Sequence, residues 1–221
     1  MTDQLAPNAA DPPWVALDRW VGSQAAKFGK LYADDNPQTV RTLAILRRGA
    51  GKPLGFDNEV WESMATFPDI LRGRGDTLSH AERAAIVALT TYAVHQQSDR
   101  HNRMHRPGTT FGRALNKLES RQDSDSEAVS RRFRQLISAQ QFDTMVRHLR
   151  GLVTQLRGPD IPFDYGGLAR DLYWLQIRGQ GDKVRLRWSR DFYRRAASSD
   201  GHPDSTDTNS PELAPNEGQN S

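Results

Sequence analysis

Residues 79–97 read SHAERAAIVALTTYAVHQQ. Ser79 and Glu82 stand at the spacing of a capping box, in which a hydroxyl takes a backbone N–H of the first turn while the glutamate reaches back to the cap residue's own N–H. The box predicts a helix from Ala81 to about Gln97. Its interior is Ala, Ile, Val and Leu on nearly every side, so it reads as a buried central helix.

Outward from this stretch, almost every periodic segment repeats the helical spacing, and no convincing strand alternation occurs. A first helix is expected from about Trp14 to Tyr32, with Trp14, Leu17, Trp20, Val21, Phe28 and Leu31 near one face. Asn36 followed by Pro37 opens a second, which Gly49 ends just after Arg47 and Arg48. A short helix covers about Asn58 to Phe67, and Arg72 to Asp76 forms a flexible turn. Residues 98–110 (SDRHNRMHRPGTT) break the periodicity and read as a basic loop carrying Arg100, Arg103 and Arg106 against Asp99. Helices are then expected over about Phe111–Arg121, Ser126–Ala139, Phe142–Leu156 and Asp164–Ile177. The segment from Asp182 to Arg195 is ambiguous, because VRLRW begins as an alternation and could be a strand.

The pattern as a whole is all-α. It suggests a two-lobed helical bundle with a disordered N-terminus over 1–13, an N-terminal helical lobe over 14–107, a C-terminal helical lobe with a basic surface over 108–195, and a disordered acidic C-terminal tail over 196–221. A chain of 221 residues with 36% hydrophobic side chains can bury a core of ordinary size. No apolar run is long enough to span a bilayer and no signal-peptide pattern opens the chain, which points to a cytoplasmic protein without a membrane partner. With no cysteines, disulfides, thiolate nucleophiles and Cys-based zinc sites are excluded.

Charge is unevenly placed. The formal net charge is +3, yet residues 196–221 hold five acids and no Lys or Arg, and residues 1–13 hold two more acids. The body between them carries 30 basic and 20 acidic residues, a balance suited to a polyanion. Arginine outnumbers lysine 25 to 5, which suits phosphate because the guanidinium stays charged and binds oxygens in pairs.

The arginines fall at helical positions. In FDTMVRHLRGLVTQLRG (142–158), Phe142, Met145, Val146, Leu149, Leu152, Val153 and Leu156 form one apolar face, flanked by Arg147, Arg150 and Arg157. In FGRALNKLESR (111–121), Arg113, Lys117 and Arg121 follow at i, i+4 and i+8 beside an apolar face. SRRFRQLI (130–137) sets Arg131, Arg132 and Arg134 around Phe133 and Leu136. Stripes of one sign repel themselves without an anionic partner, and three such helices could follow a phosphate backbone. A plain solvated face is the bland alternative. Tyr165, Tyr173, Trp174, Trp188, Phe192 and Tyr193 could stack on bases, but for Tyr173, Trp174 and Phe192 helical spacing favours a place in the core.

Other chemistries fit poorly. LRRGAGKPLG (46–55) approaches a phosphate-binding loop, but Leu46 stands where the template needs glycine, and Pro53 supplies neither hydroxyl nor N–H. His95, His101 and His105 could be imagined as ligands of a metal-dependent phosphohydrolase. HNRMH, however, lacks a glutamate after its first histidine and is crowded by arginines that oppose a divalent cation. No nucleophile elbow occurs, so no catalytic residue, metal or cofactor is assigned.

Through FGRALNKL, SRRFRQLI, MVRHLRGLV and FDYGGLARDLYWLQ, the second half resembles the CasB-type small subunit of the type I-E CRISPR Cascade surveillance complex, with LRRG and its helix as a weaker extension. The resemblance implies a non-catalytic, all-helical protein of antiviral defence, paired with a second copy and contacting the backbone and large subunits. It implies a basic surface that stabilises the R-loop by holding the displaced single-stranded DNA, with guide RNA as a further candidate. The phosphate-contacting residues it implies are Arg47, Arg48, Arg113, Lys117, Arg131, Arg132, Arg147 and Arg150. Adjacent helical residues point about 100° apart, so one of Arg131 and Arg132 is expected at nucleic acid and the other at protein. A purely structural subunit, whose stripes meet acidic protein surfaces, is the alternative.

Overall fold

The capping box at the head of the 79–97 stretch forms as its residue types require. Ser79 Oγ accepts from Glu82 N at 3.0 Å, and Glu82 Oε2 accepts from Ser79 N at 2.7 Å. The same carboxylate oxygen takes Gly73 N at 3.0 Å, and the Ser79 hydroxyl donates to Leu71 O at 2.7 Å. The cap therefore starts the helix and also fastens the preceding turn onto it.

The computed structural model describes residues 11–52, 57–121 and 126–194. Among them the chain forms helices α1 (Pro13–Ala33), α2 (Pro37–Gly49), α3 (Asn58–Ser63), a 3-10 turn (Asp69–Leu71), α4 (His80–His95), α5 (Phe111–Glu119), α6 (Ser126–Ser138), α7 (Phe142–Arg157), α8 (Tyr165–Leu175) and α9 (Gly181–Phe192). The only β pairing among them is a single parallel bridge between His105 and Phe163. The all-α expectation is met. The acidic tail and residues 1–10, both expected to be disordered, lie outside the described residues.

Helix starts follow local chemistry. Asn36 accepts from Thr39 N with Pro37 at the first helical position, Thr110 accepts from Arg113 N, and Asp164 accepts from Gly167 N. The ambiguous last segment is helical, because the apolar residues that matter recur at four-residue spacing: Val184, Trp188 and Phe192 are buried while Leu186 is exposed. Trp188 Nε1 donates to Asp171 Oδ2 at 2.6 Å, locking α9 to α8.

α4 lies at the centre, packed by α1, α2, α7 and α8, while α5 packs on α6, α7 and α9. Between Ala81 and His95 only Arg83 and Val94 keep partial exposure. The apolar core is continuous across the boundary expected at 107–108, joining Leu17 and Val21 of α1 with Leu168 and Leu172 of α8. α1 and α8 come so close that a Cβ on Gly166 would stand 2.5 Å from the Asp18 carbonyl oxygen. Gln96 pins the 98–110 segment: its Oε1 accepts from Met104 N, and its Nε2 donates to Asp99 O and Asn102 O. Arg100 there is ion-paired with Asp35 and lies over the Tyr32 ring at 4.7 Å, so it is engaged in structure.

Candidate nucleic-acid interface

α7 shows how the sequence pattern becomes a surface. Met145, Val146, Leu149, Leu152, Val153 and Leu156 are buried. The opposite ridge, Asp143, Arg147, Gly151 and Thr154, is exposed, with Arg150 and Arg157 half-buried on its shoulders. Arg147 donates to the Thr144 hydroxyl at 3.2 Å, and Arg157 to Gln97 Oε1 at 3.1 Å. A Cβ added at Gly151 meets nothing, so the protein itself gives no packing reason for glycine there. Mid-helix glycine costs about 1 kcal/mol against alanine. The ridge is thus unusually low just where Arg147 and Arg150 flank it.

Between α4, α7 and the segment over 73–78 lies a cleft of about 900 Å³, lined by Lys52, Arg83, Arg147 and Arg150 and also by Asp76, Glu82 and Asp143. Lys52 is engaged with Asp57 at 2.6 Å. Arg83 reaches Asp143 only at 3.4 Å, and its guanidinium lies over the Phe142 ring at 5.0 Å. Arg83 Nε and Arg150 Nε and Nη2 are buried with no hydrogen-bond partner among the described residues. Burial pushes the Arg150 guanidinium below its ordinary value, an effect the nearby Asp143 carboxylate opposes.

Of the eight expected contact residues, the structure brings Arg147 and Arg150 together around this cleft, and the other six do not line it. Arg47 is half-buried at the end of α2, and Arg48 pairs with Glu59 at 2.9 Å. Arg113 faces Asp191 at 3.7 Å, a carboxylate that also accepts from the Thr110 hydroxyl at 2.7 Å. Lys117, Arg131 and Arg132 are exposed, with no ion-pair partner among the described residues. Both members of the 131–132 pair are open to solvent, and within the described residues neither is spent on a carboxylate. α5, α6 and α7, which carry six of the eight, pack against one another.

Among the candidate stacking aromatics, Tyr165, Trp188 and Phe192 are core residues, while Tyr173 and Trp174 are partly buried and packed against the core. Tyr193 alone of these six is exposed, edge-on to Phe133 at 6.1 Å. The three histidines do not share one site, although His95 and His105 both touch Tyr165. His95 Nδ1 shares a hydrogen bond with the Tyr165 hydroxyl at 2.9 Å, and burial pushes its pKa down to about 3. His105 Nδ1 accepts from Tyr165 N at 3.1 Å, so its proton sits on Nε2, and burial lowers its pKa. His101 is exposed. Among the described residues no group of three His, Asp or Glu is arranged to hold a metal ion.

Arg83 went unnoticed in the sequence pattern, although one signal was present. It is the single arginine of a largely apolar helix, placed directly after the capping glutamate. A charge in the first turn of a central helix must find an exit, and here the exit is the cleft.

A family model for the CRISPR-associated protein Cse2 matches residues 42–193. The crystal structure of CasB from Thermobifida fusca is similar with a TM-score of 0.65 at 35% sequence identity, covering 82% of this chain and 98% of that one. A Cse2-family CRISPR-associated protein from Thermus thermophilus has a TM-score of 0.59 at 22% identity, covering 78% of this chain and 97% of its own. CasB from Thermus thermophilus has a TM-score of 0.58 at 22% identity with the same coverage, and at this identity the likeness of both is one of fold. No curated protein sequence matches the chain. With the family model spanning more than half of its length, the chain belongs to the CRISPR-associated Cse2 family.

Proposed function

We propose that the chain is the non-catalytic small subunit of a type I-E Cascade complex, where it holds the backbone of the displaced DNA strand and so stabilises the R-loop. Family membership supports the assembly role. The observation that carries the nucleic-acid role is the α7 ridge: Arg147 and Arg150 stand beside an open glycine, with Asp143 as the one acid on the helix. Lys117, Arg131 and Arg132 extend the exposed positive charge onto α5 and α6. Exchanging a DNA duplex for an RNA–DNA heteroduplex is nearly balanced in free energy, so a few backbone contacts to the freed strand shift the equilibrium. Sequence reading is left to the guide, and the partners are a second copy, the backbone and large subunits, and single-stranded DNA, with guide RNA secondary.

Arg147→Glu with Arg150→Glu is expected to weaken single-stranded DNA binding more than tenfold and to reduce the slope of log affinity against log salt by about 1.4, near 0.7 for each lost phosphate contact. Fluorescence anisotropy across a salt series, with circular dichroism to check folding, measures both. An unchanged affinity and slope in the folded double variant would remove the phosphate role.

A second reading is favoured by Arg48 and Arg113, which already pair with Glu59 and Asp191 within the chain. These stripes would then meet carboxylates of neighbouring subunits. On that reading the isolated protein shows no appreciable affinity for DNA or RNA even at low salt.

A further inference from the structure

We propose that the cleft between α4 and α7 is a discrete seat for one phosphodiester group, gripped by the Arg83 and Arg150 guanidinium groups, with Arg147 and Lys52 at its rim. The proposal deepens the nucleic-acid reading and rests on it for the source of the phosphate.

Seven buried side-chain polar atoms among the described residues lack a hydrogen-bond partner, and three of them belong to these two arginines. All three are covered N–H groups of side chains that line one cleft. Partly buried arginines elsewhere are supplied with acceptors: Arg185 donates to Ile137 O and Ala139 O, and Arg170 donates to Asp18. Native proteins rarely leave such donors unmet, so an ordered water or a group outside the chain is expected to take them once the side chains shift. An anion is the ligand that best matches the site, since two guanidinium groups line one space. Two guanidinium forks suit a group with several oxygens better than a single carboxylate. The cleft, at about 900 Å³, has room for the sugars on either side of a phosphate. Gly51 and Gly75 in its wall have open surroundings, so a strand's backbone can come close.

Asp143 holds the place of the ligand. Its carboxylate stands at 3.4 Å from Arg83 and is mostly exposed. A phosphate entering the cleft displaces it from Arg83. The sign of its substitution is therefore informative, because Asp143→Asn removes a competing anion and should tighten the seat.

The experiment follows the melting temperature of the full chain in phosphate against chloride at matched ionic strength, for wild type, Arg150→Met, Arg83→Gln and Asp143→Asn. A short phosphodiester, the dinucleotide dTpdT, is titrated in parallel with acetate. Phosphate and dTpdT are expected to raise the melting temperature of wild type, to do so more strongly in Asp143→Asn, and to lose the effect in Arg150→Met and Arg83→Gln. Arg150→Met should itself melt no lower than wild type, since two of the three nitrogens it removes are buried without a hydrogen-bond partner among the described residues. Equal shifts in wild type and Arg150→Met overturn the seat, and so does an acetate shift as large as that of phosphate, which would assign the cleft to a partner's carboxylate. Failure of the seat and failure of the broader reading separate cleanly. Single-stranded DNA that binds wild type and Arg150→Met equally removes the seat alone, whereas a phosphate shift without binding of long single strands retains the seat and removes the R-loop role.

Discussion

α4 and α7 are each sixteen residues long and pack against each other, yet they face opposite demands. α4 is enclosed by neighbours on almost every side, and its one partly exposed charge, Arg83, leans out toward α7. α7 buries a single stripe and offers its remaining surface to solvent through Arg147, Gly151 and Thr154. A helix with no free face can only hold the fold. A helix with half a face free can be changed there without unfolding the protein, and this is where charge meant for a partner can collect.

Three substitutions would break or sharpen that contrast. The largest effect is expected at the centre: Leu89→Ala, at a site with 0% exposure, should cost about 4 kcal/mol in stability by urea denaturation and alter nucleic-acid binding only through unfolding. An effect below about 1 kcal/mol would deny α4 its central role.

Next is acid. His95 is held neutral in the folded protein with a pKa of about 3, while the unfolded chain protonates near the ordinary value of 6.5. The unfolded state therefore binds the extra proton, and stability present above pH 6.5 is lost as pH falls toward 3. By about pH 4 the loss should approach roughly 3 kcal/mol at about 1.4 kcal/mol per unit. His95→Phe should flatten this part of the stability profile; an identical slope in the variant would assign the acid sensitivity elsewhere.

The smallest effect separates the two helices most sharply. Gly151→Ala should raise stability by about 1 kcal/mol, because the new methyl meets nothing and the helix gains propensity. In the same variant single-stranded DNA affinity, read by anisotropy, should fall modestly if the low ridge serves close approach. Higher stability with unchanged affinity would leave the glycine without a binding role.

Much of the fold was legible because its signals are local. The capping box at Ser79 and Glu82, the Asn36-Pro37 start and the single-sided apolar stripe of α7 each lie within a few helical turns. α9 was not, because five residues of VRLRW alternate as well in a strand as in a helix. What decides is the wider spacing of Val184, Trp188 and Phe192, together with a hydrogen bond from Trp188 to Asp171 in another helix. The arginine stripes were visible, but their present partners were not. Arg100 finds Asp35 across 65 residues, and Arg113 finds Asp191 only because α5 packs on α9. The cleft was illegible for the same reason, since Arg83 and Arg150 share a space only once α4 and α7 are packed.

The tight crossing of α1 over α8 has a consequence for how the protein can be divided. The segment matched by the family model begins at residue 42, beyond the end of α1 at Ala33. Yet Leu17 and Val21 of α1 share the core with Leu168 and Leu172, inside the matched segment. Cutting the chain at the edge of its recognisable signature would strip the cover from α8 and leave an apolar groove open to water. The family signature and the core that covers it are different lengths of the same polypeptide.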